Sequence, residues 1–342
     1  MDDQRILELL KRYGRNLHSF EVLEPGLRYW FSSLREGAVA YVDRGLHWVT
    51  AGGPLCAREH LAEVAAEFAR EAGRRRRLTA FFGVSHRFVE QLDDRFDWLQ
   101  LGQQPCWDPQ RWAPGSKARN RIRHFTREGG TVRPVGWQEL RAGSPLLERA
   151  RELERTWVTA HPMPPMRFMV TLDLFSYAPE RRYFAAEEGS RLVGLAVAVP
   201  VYGFGGWLLE DLLVDRGAAG GAAEALIDVF MRGAAQEGST LASLGMVPLA
   251  GVEGYRDRRH RLLTWILLQC YRSFDWLYGF QGLYRFRSKL NPHFWEPVYV
   301  ASHGRVSFLT VRAVLMAFAG GWLPVFAARA ARWRLFPASR RN

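Results

Sequence analysis

Two stretches of this chain repeat one order of elements, and that repetition limits the available folds more than any other feature. Residues 57–73 (AREHLAEVAAEFAREAG) align without gaps with residues 222–238 (AAEALIDVFMRGAAQEG) at an offset of 165. Six of 17 positions are identical: Ala57/Ala222, Glu59/Glu224, Leu61/Leu226, Val64/Val229, Ala69/Ala234 and Gly73/Gly238. Two amphipathic helices can agree this far by chance, and it is the matching pattern around them that favours duplication. Candidate strands over 27–32, 38–42 and 47–50 lead through Gly52-Gly53-Pro54 into the first helix, and strands near 78–84 and 98–101 follow. Strands over 183–187, 192–199 and 206–213 lead through Gly220-Gly221 into the second, with a strand over 240–244 beyond it. The expected class is α+β, two mixed sheets flanked by helices. The join falls in the helical stretch 116–160, which breaks at Gly129-Gly130.

Composition narrows the partners. With 48% hydrophobic residues and 13 Trp, the 342-residue chain can bury two sizeable cores. Lys and Arg outnumber Asp and Glu by 47 to 35, a net charge of +12 that favours an anionic partner such as nucleic acid or an acidic membrane surface. Cys56, Cys106 and Cys270 are isolated, with neither zinc spacing nor a disulfide framework, which suits a reducing cytosol. No H-E-x-x-H or clustered Cys/His is present, so neither metal nor cofactor is expected. Residues 1–14 read as an amphipathic helix with acids first and bases last, not as a signal peptide.

The densest chemistry lies in residues 278–299, YGFQGLYRFRSKLNPHFWEPVY. A short helix over 281–290 aligns Leu283, Phe286 and Leu290 on one face and sets Arg285 and Lys289 together on another, with Arg287 nearby. Asn291-Pro292 ends it, and a strand over 294–300 follows. Taken by itself, the run is either a solvated basic helix over an ordinary strand or a site for phosphates and carboxyl-level esters.

This run resembles the signature of the phosphatidylglycerol lysyltransferase C-terminal domain family. The matching residues are Phe280-Gln281-Gly282-Leu283, the cluster Arg285/Arg287/Lys289 and Trp295-Glu296-Pro297. Family-like phrases also occur at YGRNLHSFEVLEPGLRYWF, AYVDRGLHWVTAGGPL and LGQQPCWDP, so the resemblance covers most of residues 10–302. It implies a tandem pair of GNAT-like acyltransferase domains, 1–135 and 136–302, and three strands, a Gly-rich turn, a helix and a further strand is the core order of that fold. It further implies transfer of an amino acid from aminoacyl-tRNA onto a membrane lipid. Gln281, Tyr284, Arg285, Arg287, Trp295 and Glu296 would then bind substrate. A peptidoglycan peptide or small amine as acceptor, and a membrane-bound adaptor without turnover, remain alternatives.

In WLLEDLLVDRGAAGGAAEALI, Asp211 and Arg216 stand at a strand end before a Gly-rich turn whose backbone N–H groups, at Gly220 and Gly221, suit an anion. Asp211 is the candidate for general base or for holding the substrate ammonium, while Arg216, Arg285 and Lys289 would neutralise phosphates or the oxyanion. Val214 stands where the family carries an arginine. SLGMVPLAGVEG supplies Gly245, Pro248 and Gly251 for a bend near substrate, and MPPMRFMV (163–170) lies where amino-acid recognition is expected. No Ser-His-Asp or Cys-His arrangement is recognisable, so transfer is expected to be direct.

Two basic regions complete the reading. Lys117, Arg119, Arg121, Arg123 and Arg127 line a helix opposed by one acid, Glu128, either a solvated face or a contact for tRNA backbone or lipid headgroups. In the tail, 303–342, residues 313–328 carry no charge between Arg312 and Arg329, but Gly320-Gly321 and Pro324 interrupt them. That suits a segment lying in an anionic membrane interface better than a span, with core packing as the alternative. The expected location is cytoplasmic, peripheral on the inner face of the cell membrane.

Overall fold

A computed structural model describes residues 2–160, 166–252, 259–273 and 280–321 of the chain. Residues 163–165 of the MPPMRFMV stretch, Gly254, Tyr278 and the tail beyond 321 lie outside them.

The chain opens with α1 (Asp2–Tyr13) and a 3-10 turn (Ser19–Leu23). Then come β1 (Arg28–Phe31), β2 (Gly37–Arg44), β3 (His47–Ala51), β4 (Leu55–Cys56), α2 (Leu61–Arg74), β5 (Leu78–Ser85), α3 (His86–Val89) and β6 (Phe96–Trp107). Next, α4 (Ser116–Arg127), β7 (Gly130–Val135) and α5 (Pro145–Ala160) precede β8 (Arg182–Glu188), β9 (Arg191–Val201) and β10 (Gly206–Val214). After α6 (Ala222–Gln236) come β11 (Ala242–Ser243), β12 (Val247–Pro248), α7 (Arg261–Ser273), α8 (Phe280–Ser288), β13 (Phe294–His303) and α9 (Phe308–Phe318).

Among the described residues the strands form one mixed sheet, ordered β1-β2-β3-β5-β13-β6-β11-β10-β9-β8-β7, with β4 on β2 and β12 on β6. Each half holds an antiparallel pair, β2·β3 or β9·β10, followed by a crossover helix and a strand returning parallel, β3·β5 or β10·β11. The strand expected over 240–244 shrinks to two residues, because Gly245 (φ +79) turns the chain out of the sheet. Conversely, the strand expected over 98–101 extends across 12 residues as β6. β13 follows the second half in sequence but pairs with both β5 and β6, so the segments 1–135 and 136–302 share one strand row.

Helices cover both faces of the sheet. Val64, Phe68 and Ala72 of α2, four residues apart, pack on Trp48, Phe81 and Tyr299. Leu226, Ile227 and Phe230 of α6 pack on Phe184, Ala196 and Leu209. Each fully buried Leu or Phe of this kind contributes about 1.5–3 kcal/mol. On the opposite face, Leu146, Ala150 and Leu153 of α5 cover Leu195 and Val197. In α9, Val311, Ala313, Val314 and Ala317 are buried over β2, β3 and β5, and Phe318 meets Phe82 edge-on at 5.1 Å. The missing charge in the described part of the 313–328 stretch therefore answers to core packing, while Phe308, Leu309 and Leu315 of α9 remain exposed.

Candidate active site: a buried polar seam

β6 is the strand on which the two halves meet, and its register with β13 sets Gln104 opposite Glu296. Gln104 Nε2 donates to Glu296 Oε2 at 3.0 Å. The 3-10 turn brings a second pair to this seam. Three residues per turn stack positions i and i+3, so His18 Nδ1 meets Glu21 Oε1 at 2.8 Å with both side chains buried. Asn16 fixes the approach: its Oδ1 accepts from the His18 amide at 3.2 Å, and its Nδ2 donates to Gly83 O at 2.6 Å.

β10 supplies Glu210 and Asp211, at a register shift between Leu209 and Asp211 that re-aims side chains as bulges near active sites do. Arg181 forms an ion pair with Glu210, and its Nε donates to Ser176 O at 2.7 Å. Glu24 accepts from the amides of Met169 at 2.7 Å and Thr171 at 3.3 Å.

The seam is rich in carboxyls that burial disfavours as anions. Burial, then the neighbouring Glu210, holds the Asp211 carboxyl well above its ordinary range. Burial likewise raises Glu21, Glu210 and Glu296, and pushes Glu24 up to about 8. Eight buried side-chain polar atoms lack a hydrogen-bond partner among the described residues, and five of them lie here: His18 Nε2, Ser19 Oγ, Glu21 Oε2, Gln104 Oε1 and Asp211 Oδ2. An unpaired buried polar atom costs about 1–3 kcal/mol, so such a concentration suits a polar guest, and unsatisfied carboxylate oxygens suit an amine.

The residues expected at the site divide into three places. Asp211 and Glu296 lie in the seam, with Gly245 beside it: a Cβ on Gly245 would stand 3.9 Å from His18 Cε1. Arg287 anchors that loop through Nη1 to Gly245 O at 2.7 Å and Met246 O at 2.9 Å, and burial lowers it to about 9. Pro248 pairs with Gly102 of β6. The second place is the outer face of α8. There Tyr284 lies 5.1 Å from Trp295 at 33°, Arg285 bonds Gln281 Oε1 at 3.2 Å, and Arg285 and Lys289 are exposed.

The third place is the start of α6. Gly221 (φ +114) lies so close to α4 that a Cβ there would come within 2.0 Å of Arg121 O. Around it, the Ala219 amide donates to Glu188 Oε1 at 2.7 Å, the Gly217 amide donates to Asp215 Oδ1 at 2.8 Å, and Arg216 reaches Ala160 O. The turn at Gly220 and Gly221 thus packs against α4, with carboxylates on the neighbouring Ala219 and Gly217 amides. On α4 itself, Ala118, Ile122 and Phe125 pack inward while Lys117, Arg119, Arg121, Arg123 and Arg127 are exposed. Arg119 and Arg123 border a groove with Trp112, Asp228 and Arg232.

Sequence reasoning missed His18, Glu21, Gln104, Arg181 and Glu210. The signal for the first two was a His and a Glu three apart inside the largely apolar run LHSFEVL.

Over residues 7–302 the chain matches the family described as phosphatidylglycerol lysyltransferase, C-terminal. It belongs to this family. Among lysyltransferase relatives, the phosphatidylglycerol lysyltransferase of Bacillus subtilis (strain 168) is 23% identical over 310 residues, covering 88% of this chain and 35% of that protein. The chain thus spans about a third of that relative's length. The solved C-terminal domain of a putative lysylphosphatidylglycerol synthetase from Agrobacterium fabrum superposes with a TM-score of 0.78 at 18% identity, covering 94% of this chain and 98% of that one. L-PGS from Bacillus licheniformis gives 0.74 at 20% identity, covering 96% and 97%. At these identities the likeness establishes the shared fold of this lysyltransferase-family chain.

Proposed function

We propose that the chain transfers an aminoacyl group from aminoacyl-tRNA to a hydroxyl of a membrane lipid such as phosphatidylglycerol, with 1–135 and 136–302 acting as two GNAT-like units. The observation that carries this reading is the unpartnered Asp211 Oδ2 deep in a seam of carboxyls. An α-ammonium, or a second ammonium on the side chain, satisfies such an oxygen, whereas an acetyl donor brings no cation to it. The ester is already activated, so positioning and charge supply most of the help. Arg285 and Lys289, exposed at the end of α8, meet donor phosphates, and the exposed arginines of α4 follow the tRNA backbone. The reaction needs no cofactor.

An anionic membrane surface completes the reading, with the protein peripheral on its cytoplasmic side. Leu262 and Trp265 of α7 and Phe308, Leu309 and Leu315 of α9 are exposed, and Arg261, Arg305 and Arg312 are exposed near them in sequence. Asp97 ties the starts of both helices, through Oδ1 to His260 Nε2 at 2.9 Å and Oδ2 to the Val306 amide at 2.8 Å. Among the described residues no helix is long and apolar enough to cross a membrane. The test is incubation with mixed aminoacyl-tRNAs and vesicles containing phosphatidylglycerol. A ninhydrin-positive lipid is expected. Aminoacylation of a muropeptide or free amine instead, or no lipid product, overturns the proposal.

A further inference from the structure

His18 and Glu21 form a buried pair whose outer nitrogen has nothing to bond. When Glu21 is ionised it only accepts, so the 2.8 Å contact to its Oε1 then places an imidazole proton on Nδ1 and leaves the Nε2 lone pair of the neutral ring open. That nitrogen is fully buried and unpartnered among the described residues. Gln104 lies near enough to act on the ring, yet neither His18 Nε2 nor Gln104 Oε1 completes a hydrogen bond. Ser19, next in the chain, lines a cleft with Arg15, Arg58 and Arg87 around Gly52 and Gly53. Such a cleft suits an acceptor whose hydroxyl is carried on a phosphodiester.

We propose that His18 is the general base of the transfer, held in orientation by Glu21, and that its Nε2 takes the proton of the acceptor hydroxyl. This rests on the aminoacyl-transfer reading. As the proton moves to Nε2, the acceptor oxygen bonds to the aminoacyl carbonyl carbon. The bond from that carbon to the ribose oxygen then breaks, and the same proton passes from Nε2 to the departing ribose oxygen. The imidazole ends neutral, with no other reactant consumed. Asp211 is left to hold the substrate ammonium.

The surroundings set the pH dependence. Burial alone lowers His18, but the Glu21 charge and hydrogen bond, then the Gln104 amide and the Glu296 charge of β13, more than offset it and hold the ring above its ordinary value. The charged groups facing His18 are Glu21 on its own turn, Glu296 on β13 and Glu210 on β10. A base works deprotonated, so turnover should rise with pH through an ionisation above the usual histidine range.

Three forms of the full chain decide the matter, each assayed for turnover against pH with phosphatidylglycerol vesicles and for aminoacyl-tRNA binding. His18→Asn keeps a donor for Glu21 and removes Nε2. Loss of base catalysis typically costs 10²–10⁴-fold, so turnover should fall by about 100-fold or more, with tRNA binding unchanged and the pH limb gone. Glu21→Gln keeps an acceptor for Nδ1 but removes the charge, so its limb should move to lower pH. Turnover of His18→Asn within a few-fold of the unaltered chain, with the same profile, overturns the proposal. Should His18→Asn not fold, an unmoved limb in Glu21→Gln overturns it instead. Absence of transfer by the unaltered chain overturns the aminoacyl-transfer reading, and the base assignment with it.

Discussion

The Arg121 carbonyl occupies the space that a side chain at Gly221 would need, 2.0 Å from an ideal Cβ. Gly221 also has φ +114, so an L-residue there is both crowded and strained. Gly221→Ala should therefore lower the unfolding free energy by about 2–4 kcal/mol, strain and overpacking together. The urea midpoint reports it. Because α4 fills the turn, acetyl-CoA should give no heat of binding in calorimetry.

Stability should fall as pH rises through the acid-to-neutral range. Glu24 titrates at about 4.5 when unfolded and about 8 when folded, so the fold disfavours its ionised form. Its contribution is complete below pH 4.5 and is lost progressively towards pH 8. Glu24→Gln should flatten the decline, measured as the difference in urea midpoint between pH 5 and pH 8. An unchanged difference would remove Glu24 as its source.

Arg285→Ala with Lys289→Ala should reduce transfer by at least about tenfold and leave circular dichroism native, since both side chains are exposed. Aminoacyl-tRNA binding should weaken steeply with salt, about five phosphate contacts giving a log–log slope of roughly −3 to −5. Arg119→Gln with Arg123→Gln should make that slope shallower by about 1–2. A slope unaffected by these changes places the tRNA elsewhere.

Trp265→Glu with Phe308→Glu should abolish flotation with anionic vesicles while leaving transfer to a detergent-dispersed acceptor intact. Both rings are more than half exposed, so neither change opens a core. Undiminished flotation would move membrane contact to another face.

What the sequence disclosed followed from locality. The α2 and α6 units announced themselves through apolar spacing and glycine turns, signals confined to windows of about 15 residues. The 281–290 helix and the strand after it lay within two residues of their places for the same reason, as α8 and the start of β13. The insertion of β13 between β5 and β6 was invisible, since hydrogen-bond partners some 200 residues apart leave no periodic trace. Asp211 and Glu296 were found through family motifs. His18 and Glu21 were not, because a 3-10 turn of five residues has no amphipathic signature, and the capping His18 and Glu21 are buried along with the apolar Phe20 and Val22. A charge-free run like that of α9 reads alike for a membrane interface and for a core, and α9 buries one face on the sheet while leaving Phe308, Leu309 and Leu315 exposed.

Placing β13 in mid-sheet has a consequence for biogenesis. As the chain leaves the ribosome, β5 and β6 have lost their shared neighbour until residue 303 has emerged, and each exposes a row of unpaired amides and carbonyls meanwhile. Pairing across so long an interval is slow to nucleate, so the nascent N-terminal half is the vulnerable, chaperone-seeking species. Closing that gap also delivers Glu296 to Gln104. The last of the described strands to be translated thus completes the sheet and the seam in one event, and chains cut short of it carry neither.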